Sequence, residues 1–292
     1  MPDNDSLKIL FVINPGSGEG RVDWELLIRE YFENTDLNIE IFRLTGKNDH
    51  EAIRQSIENS RPSKVVAVGG DGTVSLVAKL VLGSAVALGI LPGGSANGMA
   101  TELGIPDSAK EALDIVVKGS IKNADIIKIN QKEICLHLSD IGLNAKLIKH
   151  FEEGKIRGKL GYAKVVFKTL WKRSSMNVHI KVGDVEVNHR AEMVVLANAS
   201  KYGTGARINP EGNIFDGHFE VVIMRKLAFS ELFKMWFKFR PFDPSKIKVF
   251  PATSVTIHTT RKVHFQVDGE YLGKVNHVDA EITAGKLKLI VP

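Results

Sequence analysis

The spacing of apolar positions changes part-way along the chain. Up to about residue 125, short apolar runs alternate with stretches of helical periodicity. The runs fall near 7–13, 38–43, 64–68 and 87–90, and the helical stretches near 22–33, 49–59, 74–82 and 108–118. Val65 to Val68 is apolar and mostly β-branched, as a parallel strand covered on both faces requires. Such alternation predicts an α/β unit, a parallel sheet with helices on both faces. Beyond 125, short strands dominate, near 125–130, 133–139, 177–182, 192–198, 218–224, 247–250, 254–258, 263–267 and 278–283. Helical stretches near 144–152, 158–172 and 229–238 interrupt them. This predicts a mainly antiparallel β-sandwich or barrel-like unit. The chain therefore reads as two domains, 1–124 and 125–292, with the boundary inside 119–125. No internal repeat or low-complexity linker is present.

Three of the predicted strands in the first half run into glycine turns. Ile9 to Ile13 leads into Asn14-Pro15-Gly16-Ser17-Gly18. Val65 to Val68 leads into Gly69-Gly70-Asp71-Gly72-Thr73, and Ala87 to Ile90 into Gly93-Gly94-Ser95-Ala96-Asn97-Gly98. Glycine lets the backbone approach a ligand and accept positive φ. A strand–glycine turn–helix junction collects free amides and the helix dipole at one point, which suits phosphate. Loops at the carboxyl ends of neighbouring parallel strands share one crevice, so three of them suggest one large polyphosphate ligand. The spacing fits neither the dinucleotide fingerprint, since Ser75 stands at its sixth position, nor the P-loop. Asp71 is an anion where an anion should bind, which makes sense if it handles a proton or Mg²⁺.

At these residues the chain resembles the diacylglycerol kinase catalytic-domain family, which includes soluble bacterial lipid kinases and sphingosine kinases and is distantly similar to NAD kinases. Asn-Pro-x-Ser-Gly, Gly-Gly-Asp-Gly-Thr and Pro-Gly-Gly-Ser-x-Asn occur in the family's order. Downstream, Gly158-Lys159-Leu160-Gly161-Tyr162, Asn198 to Pro210, Phe215-Asp216-Gly217 and Val267-Asp268-Gly269-Glu270 match as well, so the resemblance covers nearly the whole chain. It implies an NAD kinase-like α/β domain, a β-sandwich domain and an active site in the cleft between them. It also implies ATP- and Mg²⁺-dependent phosphoryl transfer to a lipid hydroxyl.

The resemblance distributes roles. Asn14, Pro15, Gly16, Ser17, Gly18, Gly69, Gly70, Asp71, Gly72, Thr73, Gly94, Ser95 and Asn97 form the nucleotide cradle, with Thr45 and Arg157 in reach of it. Taken alone, Thr45 reads as a turn or cap residue, and Arg157 equally as a solvated helix start. Asp216, with the carbonyls of Asn213 and His218, matches the family's structural Mg²⁺ site, and Mg²⁺ needs few carboxylates because water completes its octahedron. By itself Asp216-Gly217 reads as a hairpin turn. Asp268 and Glu270 flank a glycine at a strand end. A like charge or burial raises one carboxylate pKa toward neutrality, which suits a general base. Asp71, Asp268 and Glu270 are the catalytic candidates, and the sequence does not choose between the last two. The third loop reads Gly94-Ser95-Ala96-Asn97-Gly98 where many bacterial diacylglycerol kinases carry Gly-Thr-x-Asn-Asp. This form is more similar to sphingosine kinases, and Asp140 falls where those enzymes place an acid for the lipid amine. Diacylglycerol or a related lipid is the first expectation and a sphingosine-like long-chain base the second. An NAD kinase-like enzyme comes third, and a silent nucleotide- or lipid-binding member fourth.

Composition narrows the setting. Of 292 residues 43% are apolar, enough for two cores, and no run is long enough to span a membrane. Met1 to Ser6 is polar and acidic, unlike a signal peptide. The single cysteine, Cys135, forbids an internal disulfide, in keeping with a reducing cytoplasm. A net charge of +5 permits nucleotide and anionic-membrane contact, and no nucleic-acid-binding signature is visible. In Phe229 to Phe242, Phe229, Phe233 and Trp236 share a helical face beside Lys234, Lys238 and Arg240. That suits a peripheral anchor at the inner membrane face, or a helix packed on the second domain. His258, His264 and His277 lack zinc-ligand spacing and read as structural or surface residues. A homodimer is among the assemblies the chain allows.

Overall fold

The computed structural model of the protein describes residues 8–17, 22–153, 175–200, 209, 212–226, 243 and 245–292, with the backbone alone at 150–153. Contacts divide the chain into a first unit, Met1–Ala124 with Ala284–Pro292, and a second, Asp125–Thr283. The final residues thus group with the first unit, not with the second as the sequence pattern suggests.

In the first unit β1 (Lys8–Ile13), β2 (Asn38–Arg43), β3 (Lys64–Gly69) and β4 (Ala87–Pro92) are parallel, in the order β4-β3-β1-β2. The end of β14 (Glu270–Val291) adds to β4 in parallel at Leu289–Leu88. Leu10, Phe11, Val65, Val66 and Leu88 are fully buried, as a sheet covered on both faces demands. The helices are α1 (Trp24–Phe32), α2 (Asp49–Ser60), α3 (Asp71–Val81), α4 (Gly98–Glu102) and α5 (Ala109–Lys118). α1 starts where the Asp23 carboxylate accepts from the Leu26 amide at 3.1 Å. α4 is too short to show periodicity and was not expected.

The second unit holds the second half of β5 (Ser120–Ile129), then β6 (Glu133–Cys135), β7 (Leu138–Gly142), α6 (Leu143–Glu153) and β8 (Met176–Val182). It continues with β9 (Val185–Ala191), β10 (Met193–Ala197), β11 (Phe219–Met224), β12 (Ile247–Ala252) and β13 (Ser254–Val267). The strands run antiparallel in the order β12-β11-β10-β7-β13-β14, and β8 and β9 extend it from β13. Phe219, Ile180, Val221 and Ile223 form the centre of its core. The expected breaks inside 254–267 are register shifts within one strand, and β9 was missed because its polar residues mask its alternation. The expected helices at 158–172 and 229–238 lie outside the described residues.

Candidate active site

In the first unit the glycine turns stand at the carboxyl ends of β1, β3 and β4, three neighbouring strands. Asn14 ties the first turn to the second. Its amide donates to the Val68 carbonyl at 2.9 Å and its Nδ2 to Thr73 Oγ1 at 3.3 Å. Asn14 Oδ1 accepts from the Gly16 amide at 3.0 Å, and the Ser17 hydroxyl donates back to the Asn14 carbonyl at 2.8 Å. The second and third turns touch backbone to backbone. The Gly93 amide donates to the Gly69 carbonyl at 3.0 Å. A Cβ on Gly94 would lie 3.0 Å from the Gly70 nitrogen, and one on Gly69 would lie 2.9 Å from Thr73 Cβ. Asn97, at φ 51°, closes the third loop by accepting from the Gly94 amide at 2.8 Å and donating to its carbonyl at 2.9 Å. Pro15, Gly16, Gly72 and Ser95 are exposed.

Asp71 opens α3, and its carboxylate reaches across to the third loop. Oδ2 accepts from the Gly98 amide at 2.9 Å and Oδ1 from the Met99 amide at 3.0 Å. The acid that looks misplaced in a phosphate turn therefore caps α4. Thr45 leads out of β2 and is turned onto Asp49, whose carboxylate accepts from the Thr45 amide at 2.9 Å and hydroxyl at 2.8 Å. Those bonds, the amide first, hold the Asp49 carboxyl below its usual range. Gly18 and Arg157 lie outside the described residues.

In the second unit Asp268 and Gly269 are the two loop residues between β13 and β14, where Val267 pairs with Glu270. Both have positive φ, 48° and 89°, the geometry in which Asp-Gly is favoured. The Asp268 side chain turns inward instead of into solvent. It accepts from the amides of Leu136 at 2.8 Å, His137 at 2.9 Å and Leu138 at 3.1 Å, and from the Cys135 thiol at 3.4 Å. Desolvation raises its pKa, against the pull of the Leu136 amide, His137 and Cys135. Burial pushes the Cys135 thiol up, with further help from the Asp268 charge, so it stays a donor. Glu270 is exposed at the start of β14. The pair that the sequence offers as two equivalent carboxylates is thus split into one tethered acid and one open one.

Asp140 is a second buried carboxylate of this unit. It is 1% exposed and meets Asn144 Nδ2 at 2.6 Å, the Ala145 amide at 2.9 Å and Gln266 Nε2 at 2.5 Å. Desolvation lifts its pKa to about 6 against those three donors. The carboxylate caps the first turn of α6.

Asp216, Asn213 and His218 are all exposed on one loop. Asp216 Oδ1 accepts from the His218 amide at 3.0 Å, and Asn213 Oδ1 from the Phe215 amide at 3.2 Å. One exposed carboxylate with main-chain carbonyls on a short loop is a donor set that fits Mg²⁺. The loop is fastened by Asp125, which the sequence pattern did not single out. Asp125 is 4% exposed, its amide donates to the Ile214 carbonyl at 2.8 Å, and its Oδ2 accepts from the Gly217 amide at 2.7 Å. The available signal was an acid heading the apolar run of β5. Gln266 was missed as well, since a glutamine between Phe265 and Val267 reads as the solvent face of a strand.

A sequence profile of the diacylglycerol kinase catalytic domain matches residues 8–129, and one of the YegS C-terminal NAD kinase beta sandwich-like domain matches 139–291. A protein named as the probable lipid kinase YegS, from Salmonella newport, is 26% identical over 252 residues, covering 83% of this chain and 81% of its own length. An uncharacterized Synechocystis protein is 25% identical over 307 residues, covering 96% of this chain and 69% of its own. Among solved structures, a diacylglycerol kinase from Bacillus anthracis superposes with a TM-score of 0.77 at 20% identity, over 99% of this chain and 98% of that one. At that identity the likeness speaks for the fold.

Proposed function

The chain belongs to the diacylglycerol kinase catalytic-domain family of lipid kinases, and we propose that it transfers the γ-phosphoryl group of ATP, with Mg²⁺, to the hydroxyl of a glycerolipid such as diacylglycerol. The observation that carries the nucleotide half is the backbone-on-backbone packing of the second and third turns, Gly69-Gly70 against Gly93-Gly94. No side chain fits there, so the surface offered to a ligand is main-chain amide. Phosphoryl transfer builds little new bonding within the protein; catalysis is positioning plus charge stabilisation. The amides heading α3 suit the phosphates. Asp71 fixes the third loop, so the second and third turns meet the ligand as one piece. Mg²⁺, when bound, offsets phosphate charge, and Asp216 with the Asn213 and His218 carbonyls would hold a structural ion.

Glu270 takes the proton of the acceptor hydroxyl in this reading, because it is the open carboxylate of its turn. Asp268 holds that turn to 136–138. A neutral glycerolipid is favoured over a long-chain base because the Asp140 oxygens are already taken up by Asn144, Ala145 and Gln266. The protein works on a lipid surface as a peripheral enzyme; none of the described helices is long and apolar enough to cross a membrane. The residues of the aromatic and basic stretch 229–242 lie outside the described residues.

The test is transfer of labelled γ-phosphate from ATP to diacylglycerol, monoacylglycerol, sphingosine, ceramide and undecaprenol in mixed micelles, with NAD as a soluble control. Label should enter diacylglycerol or another glycerolipid, and Asp71→Asn should lower it by roughly tenfold or more through loss of the α4 anchor. Label in NAD, or in sphingosine alone, would overturn the reading.

A further inference from the structure

Gln266 lies just past a register shift in the β13–β14 pairing, between His264 and Gln266. Phe265, Gln266 and Val267 are buried in succession, where a regular strand alternates. The glutamine is 1% exposed, and both ends of its amide are engaged. Nε2 donates to Asp140 Oδ2 at 2.5 Å, across the β13–β7 pair in which the two residues are partners. Oε1 accepts from the Gly269 amide at 2.8 Å. The Ser139 hydroxyl holds the Gln266 carbonyl at 2.7 Å, so the main chain is fixed too. Asp140 is in turn joined to α6 through Asn144 and Ala145.

The two-residue turn therefore has two anchors. Asp268 ties its first residue to 135–138, and Gln266 ties its second, Gly269, through Asp140 to α6. An Asp-Gly turn closes a hairpin without help, and a buried amide contributes less to a core than an apolar side chain of its size. Two buried polar anchors on so short a turn make sense if the next residue, the exposed Glu270, must be held in place. We propose that Gln266 and Asp140 are positioning residues, linking the first turn of α6 to the Gly269 amide and so fixing the backbone from which Glu270 meets the acceptor hydroxyl. The catalytic consequence rests on the kinase reading above; the mechanical link does not.

Gln266→Leu and Gln266→Glu separate the two. Leucine fills the space and breaks both bonds. Glutamate can still accept from Gly269 but sets a second carboxylate against Asp140; as pH falls, one proton shared by the pair restores the bond. Among the described residues, Cys135, His137, Lys149, His264, Asp268, Glu270 and Tyr271, which carry titratable or charged groups on the elements around the pair, are the same in both variants. In Gln266→Leu, amide hydrogen exchange across 267–271 should speed up about tenfold or more, with the exchange of β10 and β11 unchanged. Its kcat should fall by roughly 10- to 100-fold, with KM for ATP within about twofold. The Gln266→Glu deficit should shrink between about pH 8 and pH 6 while the Gln266→Leu deficit stays flat. Unchanged exchange at the turn, or deficits that track each other at every pH, would overturn the proposal. If the wild type labels no lipid, the kinase reading fails, and exchange at the turn still decides the link.

Discussion

At Asp140 a carboxylate is buried among three donors, and its pKa stands at about 6 against an ordinary 3.8. A folded-state pKa above the unfolded one means the ionised form costs stability. The contribution is intact below about pH 4 and lost as pH rises through 6. Asp140→Asn removes that titration. Between pH 4 and pH 7 the variant should gain on the wild type by on the order of 3 kcal/mol in unfolding free energy. Denaturant titrations at the two pH values check this, and a pH-independent difference would contradict it. The sequence did not show that Asp140 is buried, because residue type and position say nothing of burial. The same blindness hid Asp125 and Gln266, whose roles come from partners distant in sequence: Ile214 and Gly217 for the one, Asp140 for the other. The glycines and Asn97 were legible because their local backbone demands are written in their residue types.

Among elements, α3 makes the sharpest prediction. Gly72 is exposed in its first turn, and an added Cβ would meet nothing within 4 Å. Alanine there should hold or raise stability, by about 0.5 kcal/mol from the lower entropy of the unfolded chain. If phosphate lies over the start of α3, the same methyl should weaken ATP binding by roughly tenfold or more. Calorimetric titration with ATP beside a thermal melt separates the two effects, and unchanged affinity would remove α3 from the nucleotide site. The parallel strands β1, β3 and β4 were legible to within two residues, because unbroken apolar runs bounded by turns admit few other readings. β13 and β14 were not. Polar residues across their middles, such as His258 to Lys262 and Lys274 to His277, look like loops in sequence although they lie within continuous strands.

For the whole molecule, the two family matches together span residues 8–129 and 139–291, so the lipid-kinase assignment rests on both halves of the chain. The change from alternating to all-β periodicity locates the division near 125, but not the return of Ala284–Pro292 to the first unit. That return is a pairing with β4 that a local pattern cannot register. If the first unit holds nucleotide and Glu270 takes the proton, the two functions should separate by mutation. Single-turnover phosphoryl transfer from ATP to the accepted lipid, by wild type and Glu270→Gln with ATP affinity measured alongside, tests that separation. ATP affinity should stay within about twofold, and the transfer rate should fall by roughly 10²- to 10⁴-fold in the variant. Transfer at the wild-type rate, or a loss of ATP affinity as large as the loss of rate, would contradict the assignment of the proton to Glu270.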